Sequence, residues 1–406
     1  MAAVIEVQPT PIYNTCFPEK WEDLFIQCRM ETSVCSSPPK SRARKREYDY
    51  YEKSHRKYAK KVKKSLFSAI EKRDLEHFTK IVNTRVQVTT CSGKKIIQKA
   101  FIKACRAGET NIVRFLIRNE AEVNERSKGD LTPIIAAVLS NSYDTVEFLL
   151  ECRAKIRTRL KPTQDSVLHV ALKRGFYHSD IVGSENWDPK FFIDTKIIKL
   201  LIDNGASVNQ KCKDGYLPLS LAASSNRDAV VTHLIKKGAD VDRVDSRYEM
   251  TPLMHAAMAG NVYIVRQLLK YNVDMDITDK WDYSALMLAA HFRKPLVVSA
   301  LIQEGADVNM VSDYNGKNAL ILATESNCFD SVNSLLEKGA DVNYRKPRRG
   351  TTALMIAAQN GYIDVVDTLL YYNADVDLRD EDGHTAVCLC SDDEIVDLII
   401  NHSGVT

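Results

Sequence analysis

The feature that most restricts the fold is a segment that keeps returning. "TPLMHAAMAG" begins at Thr251, and aligned copies begin at Leu217 ("LPLSLAASSN"), Ser284 ("SALMLAAHFR"), Asn318 ("NALILATESN") and Thr352 ("TALMIAAQNG"). Thr132 ("TPIIAAVLSN") and Ser166 ("SVLHVALKRG") extend the series. Weaker copies start near Lys64 and Lys99, and a truncated one starts at Thr385. Successive starts are 35, 33, 34, 51, 34, 33, 34, 34 and 33 residues apart. So constant a period means that one small unit is stacked many times, and the long interval is a unit carrying an insertion.

Each copy reads as two short helices and a turn. Thr251 is an N-cap whose hydroxyl accepts an orphan backbone N–H, and Pro252 suits the first helical position, where a missing donor costs nothing. Leu253, Ala256 and Ala257 fall on one face at i, i+3 and i+4, and the small alanines let a neighbouring helix come close. Gly260 ends this helix, and "VYIVRQLL" from Val262 gives a second amphipathic run. That run closes on a repeated phrase, "KKGADVD" from Lys236, "QEGADVN" from Gln303, "EKGADVN" from Glu337 and "DNGASVN" from Asp203. Glycine there reaches the left-handed conformation at little cost. A unit this small cannot bury its own apolar face, but ten in register share a continuous two-layer helical core.

The pattern T-P-L-x-x-A-A, then glycine, then LLxxGADVN at this period resembles the ankyrin repeat over roughly residues 64 to 406. The resemblance implies an all-α solenoid of about ten helix-turn-helix units with short hairpin turns, which binds a protein partner on its concave face and turn tips and rarely catalyses anything. The histidine of T-P-L-H survives only as His169, and Glu249 and Asp282 replace turn glycines, which leaves those two turns open. Carried onto this sequence, the partner-binding positions at the tips are Tyr248, Trp281, Tyr283, Tyr314, Tyr344, Arg345, Lys346, Arg348 and Arg349. Those at the inner-helix ends are Met258, His291 and Phe292. Trp281, Tyr283, His291 and Phe292 are expected to form one anchor, since aromatic side chains carry much of the energy of interfaces; the alternative is that Trp281 packs over a neighbouring turn. "YRKPRRG" from Tyr344 suits an acidic or phosphorylated partner, or is a solvated loop tip. Asn124, Asn209, Asn309 and Asn343 each follow a leucine by eight residues, the pattern that the ankyrin-modifying asparaginyl hydroxylase accepts. The plainer reading is that each asparagine holds its turn.

Charge is unevenly placed. Residues 1–64 hold 14 Lys/Arg against 8 Asp/Glu, and the remaining 342 residues hold 42 against 45. We expect residues 1–63 to form a flexible arm, basic toward its end, ahead of a solenoid at 64–406 with an insertion at about 176–193. "KSRARKR", with Lys40, Arg42, Arg44, Lys45 and Arg46, reads as a nuclear-import signal. Ser37 in "SPPK" is a candidate phosphorylation site that could mask it. "RKYAKKVKK" at 56–64 reads as the solvated face of a helix leading into the first repeat.

Other classes find little support. No window approaches 18 uninterrupted apolar residues, so no membrane span is expected, and "MAAVIEVQPTP" lacks the layout of a signal peptide. The ten cysteines include no CxxC pair, which fits a reducing compartment and predicts no metal site. GxGxxG, GxxxxGK[ST], HExxH and GxSxG are absent, so no enzymatic activity, cofactor or small-molecule substrate is expected. Two further readings stay open: a nuclear factor whose basic arm contacts nucleic acid or an import receptor, and a substrate-recognition subunit of a ubiquitin ligase. Nucleic acid is the less favoured partner because the solenoid is near neutral. No adaptor-binding box follows the last turn, which weighs against the ligase subunit. The expected location is intracellular, cytoplasmic or nuclear.

Overall fold

The computed structural model describes residues 42–86, 91–127, 131–161, 163–173 and 193–403. The chain divides into two compact units, Met1–Val62 and Lys63–Thr406. A single 30-residue helix, Arg42–Glu71, begins in the first unit. Residues 42–63, at the end of the expected arm, belong to this helix. Along it Lys57, Lys60, Lys61 and Lys64 are exposed, so "RKYAKKVKK" is a solvated helix face. Ser37 and Lys40, and all but Ile193 of the insertion expected at 176–193, lie outside the described residues.

The described residues form ten helix pairs. The inner helices of the regular units are seven or eight residues long, as in Pro218–Ser224, Pro252–Ala259, Ala285–His291, Ala319–Glu325 and Ala353–Gln359. Each packs on the next inner helix and on its own outer helix. Ala285 through Ala290 are all buried, whereas the outer helix Val262–Leu269 buries only Ile264, Val265 and Leu268. A two-turn helix does not hold in water by itself. Burying those three side chains, about 1.5–3 kcal/mol each, is what stabilises it. Leu268→Ala would remove about 2–5 kcal/mol of that.

Local signals place the helix ends. Thr251 Oγ1 accepts the Met254 N–H at 3.2 Å, and Ser284, Asn318 and Thr352 cap their helices in the same way at 3.4, 2.9 and 3.3 Å. Gly260 closes its helix at φ 80°. The outer helices end on left-handed Gly238, Gly305 and Gly339, and Asn272 and Asn373 take the equivalent place.

The asparagines of the VN pairs join successive repeats. Asn309 donates Nδ2 to the Gly339 carbonyl at 3.1 Å, and its Oδ1 accepts the Asp341 N–H at 2.8 Å. Asn209 makes the same pair with Gly238 and Asp240, at 2.8 and 2.9 Å. Asn124 does so with Arg153 and Lys155, at 3.4 and 2.7 Å. The bonds cross to the next unit, so the residue stitches the stack rather than its own turn.

Candidate protein-binding face

Each hairpin tip described from residue 213 onward turns on one left-handed residue two places before the N-cap. Gly215, Gly316, Gly350 and Gly383 fill that place at φ 88, 67, 64 and 84°, and Glu249 and Asp282 adopt it at 58 and 61°. The two turns without glycine thus keep the geometry of the glycine turns, held by an aspartate at the base. Asp245 Oδ1 accepts the N–H groups of Arg247 and Tyr248, at 2.9 and 2.8 Å, and Asp279 Oδ1 those of Trp281 and Tyr283, at 2.9 and 3.0 Å. Neighbouring tips are bonded to each other. Ser246 N–H donates to Gly215 O (3.2 Å), Lys280 N–H to Tyr248 O (3.0 Å), and Glu381 N–H to Arg349 O (3.0 Å).

Tyr248 and Trp281 stack across two tips with ring centroids 5.6 Å apart and planes 22° apart. The Lys280 ammonium sits 4.4 Å from the Tyr248 centroid and 4.2 Å from that of Trp281, and the Arg247 guanidinium lies 5.2 Å from Tyr248. Trp281 packs over its neighbour's turn, as the alternative reading expected, and leaves 37% of its surface open. Tyr314 is 65% exposed. Tyr283 is half-buried, its hydroxyl accepting from Asn315 Nδ2 at 2.7 Å. Tyr344 is half-buried too and donates to Gly316 O at 2.9 Å. Arg345 donates to the Arg379 carbonyl at 2.7 Å, Lys346 is half-buried, and Arg348 and Arg349 are exposed.

The expected four-residue anchor is divided. Trp281 and Tyr283 belong to the tip, whereas His291 and Phe292 lie at the far end of the inner helix Ala285–His291. At 1.5 Å per residue that helix separates them by about 10 Å. His291 and Phe292 are exposed and pack edge to face at 4.9 Å. Met258, at the corresponding place one unit earlier, is half-buried.

Beneath the face lie polar pairs that reading the sequence missed. Lys173 is buried and bonds Asp165 at 2.9 Å and Asp214 at 2.8 Å. Burial opposes its charge, but the two carboxylates hold its pKa above the usual lysine value. The Lys173 bond holds Asp214 below the ordinary carboxylate range. His255 Nε2 meets Asp245 Oδ2 at 2.7 Å; burial works against the Asp245 charge, yet this bond and the backbone amides keep its pKa low. His169 lies between Ser166 Oγ at 2.7 Å and the Tyr216 carbonyl at 3.1 Å, and burial pushes its pKa down to about 4. A signal existed in the period. The residue before the N-cap and the one seven places after it meet, as in Asp165–Lys173 and Lys317–Glu325 (2.5 Å), where opposite charges face each other.

Of the modification candidates, Asn124, Asn209 and Asn309 have the inter-repeat bonds described above, and Asn343 Oδ1 accepts the Asp375 N–H at 2.8 Å. Arg42, Arg44, Lys45 and Arg46 fall on the long helix. Ligand atoms of Asp380, Asp382 and His384 lie within 4.8 Å of one another, but Asp380 is already taken up by the amides of Asp382 and His384. Among the described residues no helix is long and apolar enough to cross a membrane.

Comparison with known proteins agrees with this geometry. The profile "Ankyrin repeats (3 copies)" matches residues 66–159, 191–279 and 253–346, and "Ankyrin repeats (many copies)" matches 335–390. Ankyrin repeat protein nuc-2 of Neurospora crassa is 31% identical over 169 residues, 41% of this chain and 14% of that protein. The putative palmitoyltransferase ZDHHC13 of Danio rerio is 33% identical over 127 residues, 31% of this chain and 20% of its own length. The chain thus spans only a small part of these relatives. The solved ankyrin repeat domain of Bcl-3 superposes with a TM-score of 0.48 at 24% identity, covering 58% of this chain and 98% of that domain. With profile matches over most of its length and the stacked helix pairs to go with them, the chain belongs to the ankyrin repeat family.

Proposed function

We propose that this chain is a non-catalytic scaffold that holds a protein partner against its hairpin tips and inner-helix ends. The observation that carries the reading is the exposed aromatic and cationic row at the tips, led by the Tyr248–Trp281–Lys280 stack. Aromatic side chains fixed on a rigid stack lose little entropy when a partner arrives. Ankyrin repeats are generally interaction modules and typically lack enzymatic activity, which fits. The six free cysteines among the described residues suit a reducing location, the cytoplasm or nucleus.

The test is affinity capture from the native cell extract with the full chain, read by mass spectrometry. Trp281→Ala/Tyr314→Ala strips the tips, and His291→Ala strips the inner-helix end. Specific proteins bound by wild type and lost from either variant support the scaffold. A wild-type chain that retains no protein above background refutes it.

A second reading has its own observation. Lys53, Lys57 and Lys60 are exposed and recur at i, i+4 and i+7 of the long helix, which would suit nucleic acid or an import receptor. Lys53→Glu/Lys57→Glu/Lys60→Glu should then abolish nuclease-sensitive or import-receptor capture and leave tip-dependent partners in place.

A further inference from the structure

One position, four residues before the N-cap, is exposed in six successive units: Lys213, Arg247, Lys280, Tyr314, Arg348 and Glu381. None of the five charged residues in this row forms an ion pair among the described residues. Several carboxylates near its basic part are already engaged, although the Asp214 side chain stays 48% exposed and Glu249 is exposed. Asp214 is bound to Lys173, Asp245 to His255, Asp279 to backbone amides, and Asp282 to the Asp313 N–H at 2.6 Å. A solenoid that is near neutral by composition thus presents three consecutive cations outward. Lys280 and Arg247 are further held in place by the rings of Tyr248 and Trp281.

The spacing sets the partner. A hairpin is two strands wide, and strands lie about 4.8 Å apart, so equivalent positions recur about every 10 Å. A polyproline II chain advances about 3.1 Å per residue with three residues per turn, so every third residue lies on one face about 9 Å further along and meets the next position of the row. Building on the scaffold reading, we infer that the row takes an extended segment of a partner protein with an anchor at every third residue. Three anchors are acidic for Lys213, Arg247 and Lys280, the next is apolar for Tyr314, then one is acidic for Arg348 and one basic for Glu381. A uniform polyanion such as nucleic acid fits less well, because it would meet exposed Glu381 and Asp382 at one end.

The probe is a fluorescent 16-residue peptide with Glu at positions 1, 4, 7 and 13, Leu at 10, Lys at 16, and Gly, Ser or Thr elsewhere. It is made in both chain directions and titrated against the full chain by anisotropy, beside a peptide of equal composition with the three leading glutamates adjacent. One direction should bind at least tenfold tighter than the scrambled peptide. Lys213→Glu/Arg247→Glu/Lys280→Glu should lose that binding and gain at least tenfold for a probe with Lys at 1, 4 and 7. All three sites are exposed, and the gain of the reversed probe reports a folded row. Equal binding of registered and scrambled peptides overturns the inference. So does duplex DNA that binds tighter than the peptide and is lost in the same triple variant. If registration fails while tip-dependent protein capture persists, only this inference falls, and the scaffold stands.

Discussion

Asp242 occupies the place that Asn209 and Asn309 hold in other units, and the difference gives a measurable prediction. Its Oδ1 accepts the Asp274 N–H at 3.1 Å, as the asparagines accept theirs. A carboxylate has no N–H to give, so the Asn272 carbonyl, equivalent to Gly238 and Gly339, goes without the bond those two receive. Burial raises the Asp242 pKa above 3.8, and the nearby Asp274 and Asp240 charges add to it. Asp242→Asn should therefore restore one bond, about 0.5–1.5 kcal/mol net, and also remove a carboxylate whose ionisation opposes folding. The folded protein holds the Asp242 proton more tightly than the unfolded chain does. This residue therefore favours folding most at low pH, and that contribution is lost as pH rises from 3.8 through the folded value. The gain from asparagine should then be largest at pH 7 and shrink toward pH 4. Urea unfolding followed by circular dichroism at pH 7, 5.5 and 4 reads both effects. A variant no more stable than wild type at pH 7 would falsify the clip argument, and a gain independent of pH would remove the electrostatic part.

Three other substitutions probe separate parts of the stack. Lys173→Ala leaves Asp165, which is fully buried, without its counter-charge, and should cost about 3–5 kcal/mol in the same urea assay; a loss below about 1 kcal/mol would mean that water reaches the site. His169 titrates near 4 instead of 6.5, so the unfolded chain binds its proton first. Its contribution, about 3 kcal/mol for a shift of that size, is intact above pH 6.5 and is lost as pH falls toward 4. His169→Gln should flatten stability across that interval, and an unchanged pH profile would rule out His169 as the source. Glu249→Gly relieves a left-handed non-glycine residue at φ 58° and should raise the urea midpoint by the equivalent of about 0.5–1 kcal/mol; an unchanged midpoint would mean that the turn holds no net strain at this residue.

Much of the fold was legible because it is local. The 33-residue period, the threonine and serine caps, and the glycines after the outer helices all act within a few residues of themselves. They appear in the structure where the sequence put them: Thr251 caps, Gly260 stops, Gly238 turns left-handed. The sequence placed a helix face at 56–64, and the structure carries the same helix back to Arg42. Exposed tips were legible one residue at a time, but their grouping was not. Sequence proximity joined Trp281 to Phe292, and a seven-residue helix then held them apart.

The sequence by itself determined the repeated unit, its two helices and the places where they begin and end, because capping, helical periodicity and left-handed turns depend on neighbours in the chain. Only the tertiary structure decided which charges face outward. Asp245 and Asp279 count as surface acids in any composition, yet contacts with His255 and backbone amides hold them buried, while Lys213, Arg247 and Lys280 remain in solvent. Asp214 and Lys173 lie 41 residues apart in the chain, and only stacking brings them together.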